Sequence, residues 1–100
     1  MYDLAIKPAA DKIFRKLSKK NPKQLGIING KITEIRQNPF HEYKFLKNPL
    51  QGFNRVHIDR HFVLVFRIDH EKRLVDICYF GHHDEVYKWR PDEEDFSQNL

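Results

Sequence analysis

The residues with the most chemical potential lie in two short stretches of the second half of the chain. Histidines, arginines and one tyrosine occur together there, namely His57, His61, His82, His83, Arg55, Arg60, Arg67 and Tyr87. Histidine has an unperturbed pKa of about 6.5, so it exchanges protons near neutral pH. Arginine binds phosphate oxygens through two parallel hydrogen bonds. These residue types predict proton transfer beside a bound polyanion, which points to RNA.

Cleavage of RNA without a metal ion needs three kinds of group. A base takes the proton of the 2′-hydroxyl and an acid protonates the leaving 5′-oxygen, and histidines can do both. Arginines stabilise the charge that develops on the phosphoryl group. A tyrosine adds a surface on which an unpaired base stacks, worth about 1 to 3 kcal/mol. We therefore expect this chemistry to need no metal and no cofactor.

Each candidate also has an ordinary structural interpretation. A histidine such as His57 on a strand face is more often a plain surface residue, and Tyr87 and Trp89 could simply close the core. The HxxxH spacing of His57 and His61 matches a zinc motif of helices, but it occupies a hairpin tip and lacks the glutamate. The absence of a glycine-rich phosphate loop and of a GxSxG elbow disfavours nucleotide hydrolysis and acyl transfer.

Charge is unevenly distributed along the chain. All 18 lysines and arginines but only 10 of the 14 acidic residues precede Pro91, which gives that part a formal charge of +8 within the total of +4. The remaining −4 belongs to an acidic segment, Asp92, Glu93, Glu94 and Asp95. A small basic domain attracts phosphates by counterion release. We expect one domain over residues 1–90 and an acidic, disordered tail over residues 91–100.

The composition also suggests a compartment. Cys78 is the only cysteine, so no disulfide is expected and a thiolate metal site is excluded. The longest apolar run covers five residues, whereas a membrane span needs about 20. We therefore expect a cytoplasmic protein without a membrane partner.

The hydrophobic pattern predicts an α+β fold. Residues 2–7 alternate as a half-buried strand does, and from Ala9 the apolar residues follow a helical period. Asn21 and Pro22 break this helix, and a second one ends before Pro39, so the two form a helical hairpin. Gly26 and Gly30 either let another element approach the second helix or merely weaken it. Residues 39–52 form a long connection that carries several apolar side chains.

The register of the following hairpin decides which side chains share a face. A three-residue loop, residues 59–61, pairs Ile58 with Phe62 and His57 with Val63, and it keeps the larger apolar residues together against the helices. The opposite face then carries Arg55, His57, Val63, Val65 and Arg67, and we expect it to be open, half apolar and half basic. In the third strand of this meander, either Val75, Ile77 and Tyr79 or Leu74, Cys78 and Phe80 face the helices.

The order of these elements and two of their motifs carry a family resemblance. The segments PLQGFNRVHIDRHFVLVFRI and GHHDEVYKW, after a strand and two basic helices, resemble the RelE/ParE toxin superfamily of toxin-antitoxin modules. The resemblance covers residues 2–90 and is nearest to the YafQ-like and RelE-like ribonuclease toxins. It implies a microbial ribonuclease fold in which the helices pack on one face of an antiparallel meander.

The resemblance also implies a site and a function. It implies cleavage of mRNA in the ribosomal A site by 2′-hydroxyl attack, and a cognate antitoxin that forms a hetero-oligomer with the toxin. His83 is then the acid and His57 or His61 the base, Tyr87 orients or stacks the nucleotide, and the RNA contacts are Asn48, Arg55, Arg60 and Arg67. Asn48 and His61 depart from the YafQ pattern, which has a histidine and an aspartate there. The alternatives are a ParE-type gyrase inhibitor and an RNA-binding member without catalysis.

Overall fold

Two helices cover one face of a five-stranded sheet. The computed structural model describes residues 1–91, so the predicted acidic tail lies outside the described residues except for Pro91, and the domain boundary stays a prediction. In chain order the elements are β1 Asp3–Ile6, α1 Pro8–Lys20, α2 Pro22–Gln37, β2 Lys44–Phe45, β3 Asn54–Ile58, β4 Phe62–Asp69, β5 Leu74–His82 and α3 His83–Val86. The predicted α+β class is confirmed.

Two prolines and one asparagine define the helical hairpin. Pro8 and Pro22 each lie in a first helical turn, where the missing N–H breaks no hydrogen bond. Asn21 separates the helices. Its backbone N–H donates to the carbonyl of Leu17 at 2.8 Å, and its side-chain oxygen accepts from the N–H of Gln24 at 3.1 Å. One residue thus caps the end of α1 and the start of α2.

The strands lie in the order β1-β5-β4-β3-β2. The predicted meander is the antiparallel series β3, β4 and β5. β1 lies parallel to β5, with Leu4 opposite Val75, so the N-terminal strand joins the last one. β2 pairs with β3 and falls inside the segment that the sequence treats as a connection.

The predicted hairpin register is confirmed. Ile58 lies opposite Phe62 and His57 opposite Val63, which leaves residues 59–61 as the loop. Asp59 adopts the left-handed conformation with φ 51°, and its side chain accepts a hydrogen bond from the N–H of His61 at 3.1 Å. An aspartate tolerates this conformation because its side chain bonds the local backbone.

A β-bulge explains why neither predicted alternation of β5 holds throughout. Val65 lies opposite Tyr79 whereas Phe66 lies opposite Ile77, so Cys78 is an extra residue on β5. Ile77 and Phe80 therefore both reach the core beneath the helices, with Cys78 and Tyr79 packed on the other side.

The main core lies between the helices and the sheet. Its buried members are Ala10, Phe14, Ile28, Ile32, Ile35, Ile58, Leu64, Phe66, Val75, Ile77 and Phe80. Burial of such side chains is the chief stabilising contribution in a domain of this size. No helix in residues 1–91 has the length and apolar character needed to cross a membrane.

The second face of the sheet is covered at its centre. Val63 and Val65 are buried because they pack beneath α3 and the segment 46–53, in a second cluster with Leu46, Leu50, Phe53, Cys78 and Val86. The prediction of an open, half-basic face is therefore wrong at these positions. One strand further out, on β3, Arg55 is half-buried and His57 is exposed.

Candidate active site

The short helix α3 connects three distant parts of the chain. The N–H of His83 donates to the carbonyl of His61 at 2.7 Å, which joins the start of α3 to the β3–β4 hairpin tip. The hydroxyl oxygen of Tyr87 accepts from the backbone N–H of Lys47 at 3.5 Å, which joins the end of α3 to the segment before β3. These contacts bring the predicted histidines and Tyr87 to one side of the molecule.

His83 and Tyr87 lie one helical turn apart on the same side of α3. Their ring centroids are 5.7 Å apart, with an interplanar angle of 64°. His83 is exposed and Tyr87 is half-buried, whereas the intervening Val86 is fully buried in the second cluster. Val86 thus anchors α3 and leaves the His83 imidazole beside an aromatic ring and accessible to a substrate.

His82 has a different environment from His83. Its Nδ1 accepts a hydrogen bond from the N–H of Asp84 at 3.3 Å and so caps α3. Its ring stacks on His61, with centroids 6.0 Å apart and an angle of 8°. The carboxylate of Asp84 lies 3.8 Å from the Nδ1 of His82 and 3.7 Å from the Nδ1 of His83, and the choice of His83 over His82 as the catalytic candidate stays a prediction.

His57 and Arg55 approach this side from β3. His57 lies opposite Val63, and paired residues of an antiparallel sheet point to the same face. Arg55 is two residues away on that face and lies opposite Lys44 of β2. Two cations placed directly opposite each other destabilise a sheet. Such a pair is typical of a surface that binds an anion.

The remaining predicted residues lie in loops at the margin of this surface. Arg60 is exposed in the hairpin loop, and Asn48 is exposed beside Lys47, whose N–H contacts Tyr87. Buried Leu46 and Leu50 anchor the Asn48 loop on either side. We use the term histidine rim for the set Asn48, Arg55, His57, Arg60, His61, His83 and Tyr87.

Arg67 does not belong to the histidine rim, which corrects its predicted place on an open face. It is 8% exposed, its guanidinium lies 3.7 Å from Asp76, and its Cζ is 4.8 Å from the centroid of the Phe53 ring. Lys7 completes the cluster at 3.6 Å from Asp76. Since the segment 46–53 folds over this part of β4, the arginine is enclosed.

The other side of α3 is structural. Burial, and secondly the nearby carboxylate of Glu85, raise the pKa of Tyr79 above its usual value. Tyr79 stacks on Trp89 with ring centroids 5.2 Å apart. Trp89 and Phe53 pack edge to face with ring centroids 5.3 Å apart. Trp89 and Tyr87 both pack against the second cluster, as one sequence interpretation suggested, and the hydroxyl of Tyr87 also contacts the N–H of Lys47.

Sequence reasoning missed two lysines. Lys44 forms the cation pair with Arg55, and Lys47 contacts Tyr87 through its backbone. β2 has only two residues, too few to show an alternating pattern. Within residues 1–91, no three His, Cys, Asp or Glu side chains are arranged to hold a metal ion.

Solved structures with this architecture are toxins. The YoeB/ParE toxin from Agrobacterium tumefaciens has a TM-score of 0.72 at 15% identity, covering 81% of this chain and 98% of that one. A chain of the YoeB-YefM complex from Staphylococcus aureus has a TM-score of 0.70 at 22% identity, covering 83% of this chain and 98% of that one. A YafQ mutant from E. coli has a TM-score of 0.70 at 13% identity, covering 87% of this chain and 99% of that one. These likenesses show the fold.

Sequence similarity shows the family. No protein-family model matches the chain. A curated relative from Methanocaldococcus jannaschii, named "Putative toxin RelE4", is 51% identical over 88 residues, which are 88% of this chain and 93% of the relative. An uncharacterized protein of Methanosarcina mazei is 54% identical over 87 residues, which are 87% of this chain and all of that protein. The chain belongs to the RelE/ParE-like toxin superfamily.

Proposed function

We propose that this toxin is a metal-independent endoribonuclease that cuts mRNA in the ribosomal A site and is held inactive by a cognate antitoxin. The observation that supports the proposal is the histidine rim: α3 joins His83 and Tyr87 to His61 at the hairpin tip, and His57 and Arg55 share one face of β3, which leads to that tip. It supplies proton carriers, cations and a stacking surface in one place. Membership of a toxin family that includes YafQ-like folds supports the same reaction class.

The proposed reaction is an internal transesterification. His57 takes the proton of the 2′-hydroxyl, the 2′-oxygen bonds to phosphorus, and the bond from phosphorus to the 5′-oxygen breaks. His83 gives its proton to that 5′-oxygen, so the products are a 2′,3′-cyclic phosphate and a 5′-hydroxyl. Arg55 and Arg60 neutralise the phosphorane. We favour His57 over His61 as the base because the His61 ring is stacked on His82.

Alanine substitutions test this assignment. H57A and H83A should each lower ribosome-dependent cleavage by about 10²- to 10⁴-fold, the usual contribution of a general acid or base. H61A should have a smaller effect, since His61 is proposed to bind rather than to transfer a proton. The measurement is primer extension on mRNA translated in a purified system, together with growth arrest in cells.

A matched control and two contrary outcomes complete this test. K72A changes an exposed side chain in the turn between β4 and β5, at the opposite end of the sheet from the hairpin tip, and should cleave normally. Full cleavage by all three histidine variants would refute the assignment. A wild-type protein that arrests growth through a DNA-damage response, with mRNA intact, would indicate the ParE-type alternative.

The antitoxin partner is proposed from the relatives. The Staphylococcus aureus structure is a complex of YoeB with YefM, and a Mycobacterium tuberculosis structure is a toxin-antitoxin complex. We expect the product of a small neighbouring reading frame to co-purify with this chain as a hetero-oligomer and to suppress its toxicity. Failure of that product to bind would count against the pairing.

A further inference from the structure

A groove opens where β4 extends past the start of β3, towards the end of the sheet that lies away from the hairpin tip. β3 begins at Asn54, opposite Phe66, whereas β4 continues to Asp69, so residues 67–69 extend beyond the β3–β4 pairing. Gly52, with φ 100°, turns the chain just before β3. The resulting groove has a volume of about 790 Å³, and its lining includes Tyr43, Lys44, Phe45, Asn54, Arg67 and Ile68.

The lining combines the cations Lys44 and Arg67 and the acid Glu42 with an exposed aromatic ring. Arg67 is more than nine-tenths buried, and its Nη1 has no hydrogen-bond partner among the described residues. A buried N–H without an acceptor costs free energy, so an anionic ligand that reached it would bind favourably. Lys44 is exposed, and Phe45 is 60% exposed although it is a large apolar residue. A cation beside a flat ring fits a phosphate joined to a base.

Lys44 is the link between the groove and the histidine rim. Lys44 lines the groove and also pairs with Arg55, which lies two residues, about 7 Å, along β3 from His57. These side chains share one face of the sheet and form a basic path from the candidate site. Phe45 follows Lys44 and projects to the opposite face at the sheet edge, since successive strand residues alternate.

We propose that the groove binds an unpaired nucleotide of the RNA substrate next to the cleaved bond. The nucleotide crosses the free edge of β2, so that its phosphate is held by Lys44 and Arg67 on one face and its base stacks on Phe45, which projects to the other. This inference rests on the proposed ribonuclease function and extends it by a second subsite. RNA is the occupant because the basic path leads from His57 into the groove and because an unpaired guanidinium N–H favours an anion over an apolar protein segment.

The experiment uses fully 2′-O-methylated RNA hexamers, which lack the attacking hydroxyl and stay intact. Their affinity for the full-length chain is measured by fluorescence anisotropy at low salt. F45A should weaken binding by about 5- to 100-fold, the range for loss of one stacking platform. An abasic hexamer should lose this sensitivity to F45A but keep its sensitivity to K44Q. A 4-thiouridine hexamer should cross-link to the groove.

Controls and contrary outcomes separate this proposal from the ribonuclease function. I27A removes another exposed apolar side chain, 48% exposed on α2, and should bind RNA as the wild type does. If F45A and the wild type bind the hexamer with equal affinity, the groove proposal is wrong. It is also wrong if F45A loses antitoxin binding while its RNA binding is unchanged. Wild-type protein that leaves ribosome-bound mRNA uncut, yet binds hexamers through Phe45, would refute only the ribonuclease function.

Discussion

Arg55 and Arg67 are residues of one type on the same face of neighbouring strands, and burial gives them different roles. Arg67 lies under the segment 46–53 and is held beside Asp76 and Phe53. Arg55 is half-buried and faces another cation, Lys44. A buried charge must be compensated inside the protein, whereas an accessible cation can be compensated by a ligand. Only Arg55 is thus presented directly beside His57.

The buried cluster around Asp76 predicts a large loss of stability when its carboxylate is removed. D76A leaves two cations, Arg67 and Lys7, without their shared anion in a buried site. We expect the free energy of unfolding to fall by about 3 to 5 kcal/mol, measured by urea denaturation.

A surface ion pair provides the control for this prediction. Lys31 and Glu34 are 3.1 Å apart on α2, and the Glu34 side chain is 60% exposed, so E34A should cost no more than about 1 kcal/mol. Equal losses in D76A and E34A would mean that burial contributes little to the Asp76 cluster.

At the scale of elements, the position of α3 depends on a glycine in β5. A Cβ added at Gly81 would lie 3.1 Å from Cε2 of Tyr79 and 3.3 Å from Oε2 of Glu85. Tyr79 is itself stacked on Trp89, so it has little freedom to move. Gly26 and Gly30 of α2 differ, since a Cβ there would meet nothing within 4 Å, which supports the interpretation that they merely weaken the helix.

Alanine substitutions at these glycines should have opposite signs. G81A should destabilise the fold by about 1 to 3 kcal/mol through overpacking, and it should lower cleavage because α3 carries His83 and Tyr87. G26A should stabilise by about 0.5 to 1 kcal/mol, since alanine is the better helix former. Thermal denaturation of both variants, with cleavage assays, measures the contrast. A neutral G81A would show that α3 tolerates displacement.

At the scale of the whole molecule, charge separates along the sequence. The part before Pro91 carries +8 and the four acids after it carry −4. We expect this acidic segment to compete with a polyanion for the basic part of the chain. The strength of this effect depends on ionic strength, because exposed charges are screened over about 10 Å at 0.1 M salt.

Removal of the acidic segment should strengthen RNA binding. Truncation after Pro91 raises the formal net charge from +4 to +8, and affinity for a single-stranded hexamer should rise at low salt and converge with the wild type at high salt. Truncation after Asp95 keeps all four acids and is the matched control. Identical salt titrations of the two truncated chains would exclude an electrostatic role for these acids.

The sequence predicted the parts of the fold that depend on local pattern. The register of β3 and β4 followed from the alternation of their apolar residues, and Asn21 with Pro22 marked the helical hairpin. The β1–β5 pairing could not be read in the same way, because pairing between distant strands depends on the packing of the whole chain. β2 was missed because two residues carry no period.

For the candidate site, as for the fold, the sequence allowed predictions only where residue type and local pattern are enough. Residue types and spacing indicated His57, His61, the pair His82 and His83, and Tyr87 as chemically capable, and the family resemblance selected His83 from that pair; these assignments stay predictions. The enclosure of Arg67 was not visible, because it depends on the segment 46–53 folding back over β4. The contact between the Tyr87 hydroxyl and the N–H of Lys47 was not visible either, because it depends on the position of α3.

The parallel pairing of β1 with β5 has a consequence for when the protein becomes active. β1 is made first, but its partner strand ends only at His82, and His83 and Tyr87 follow it. During synthesis β1 therefore stays unpaired until residues 74–77 of β5 have left the ribosome. The histidine rim is therefore completed only late in synthesis, once α3 with His83 and then Tyr87 have emerged.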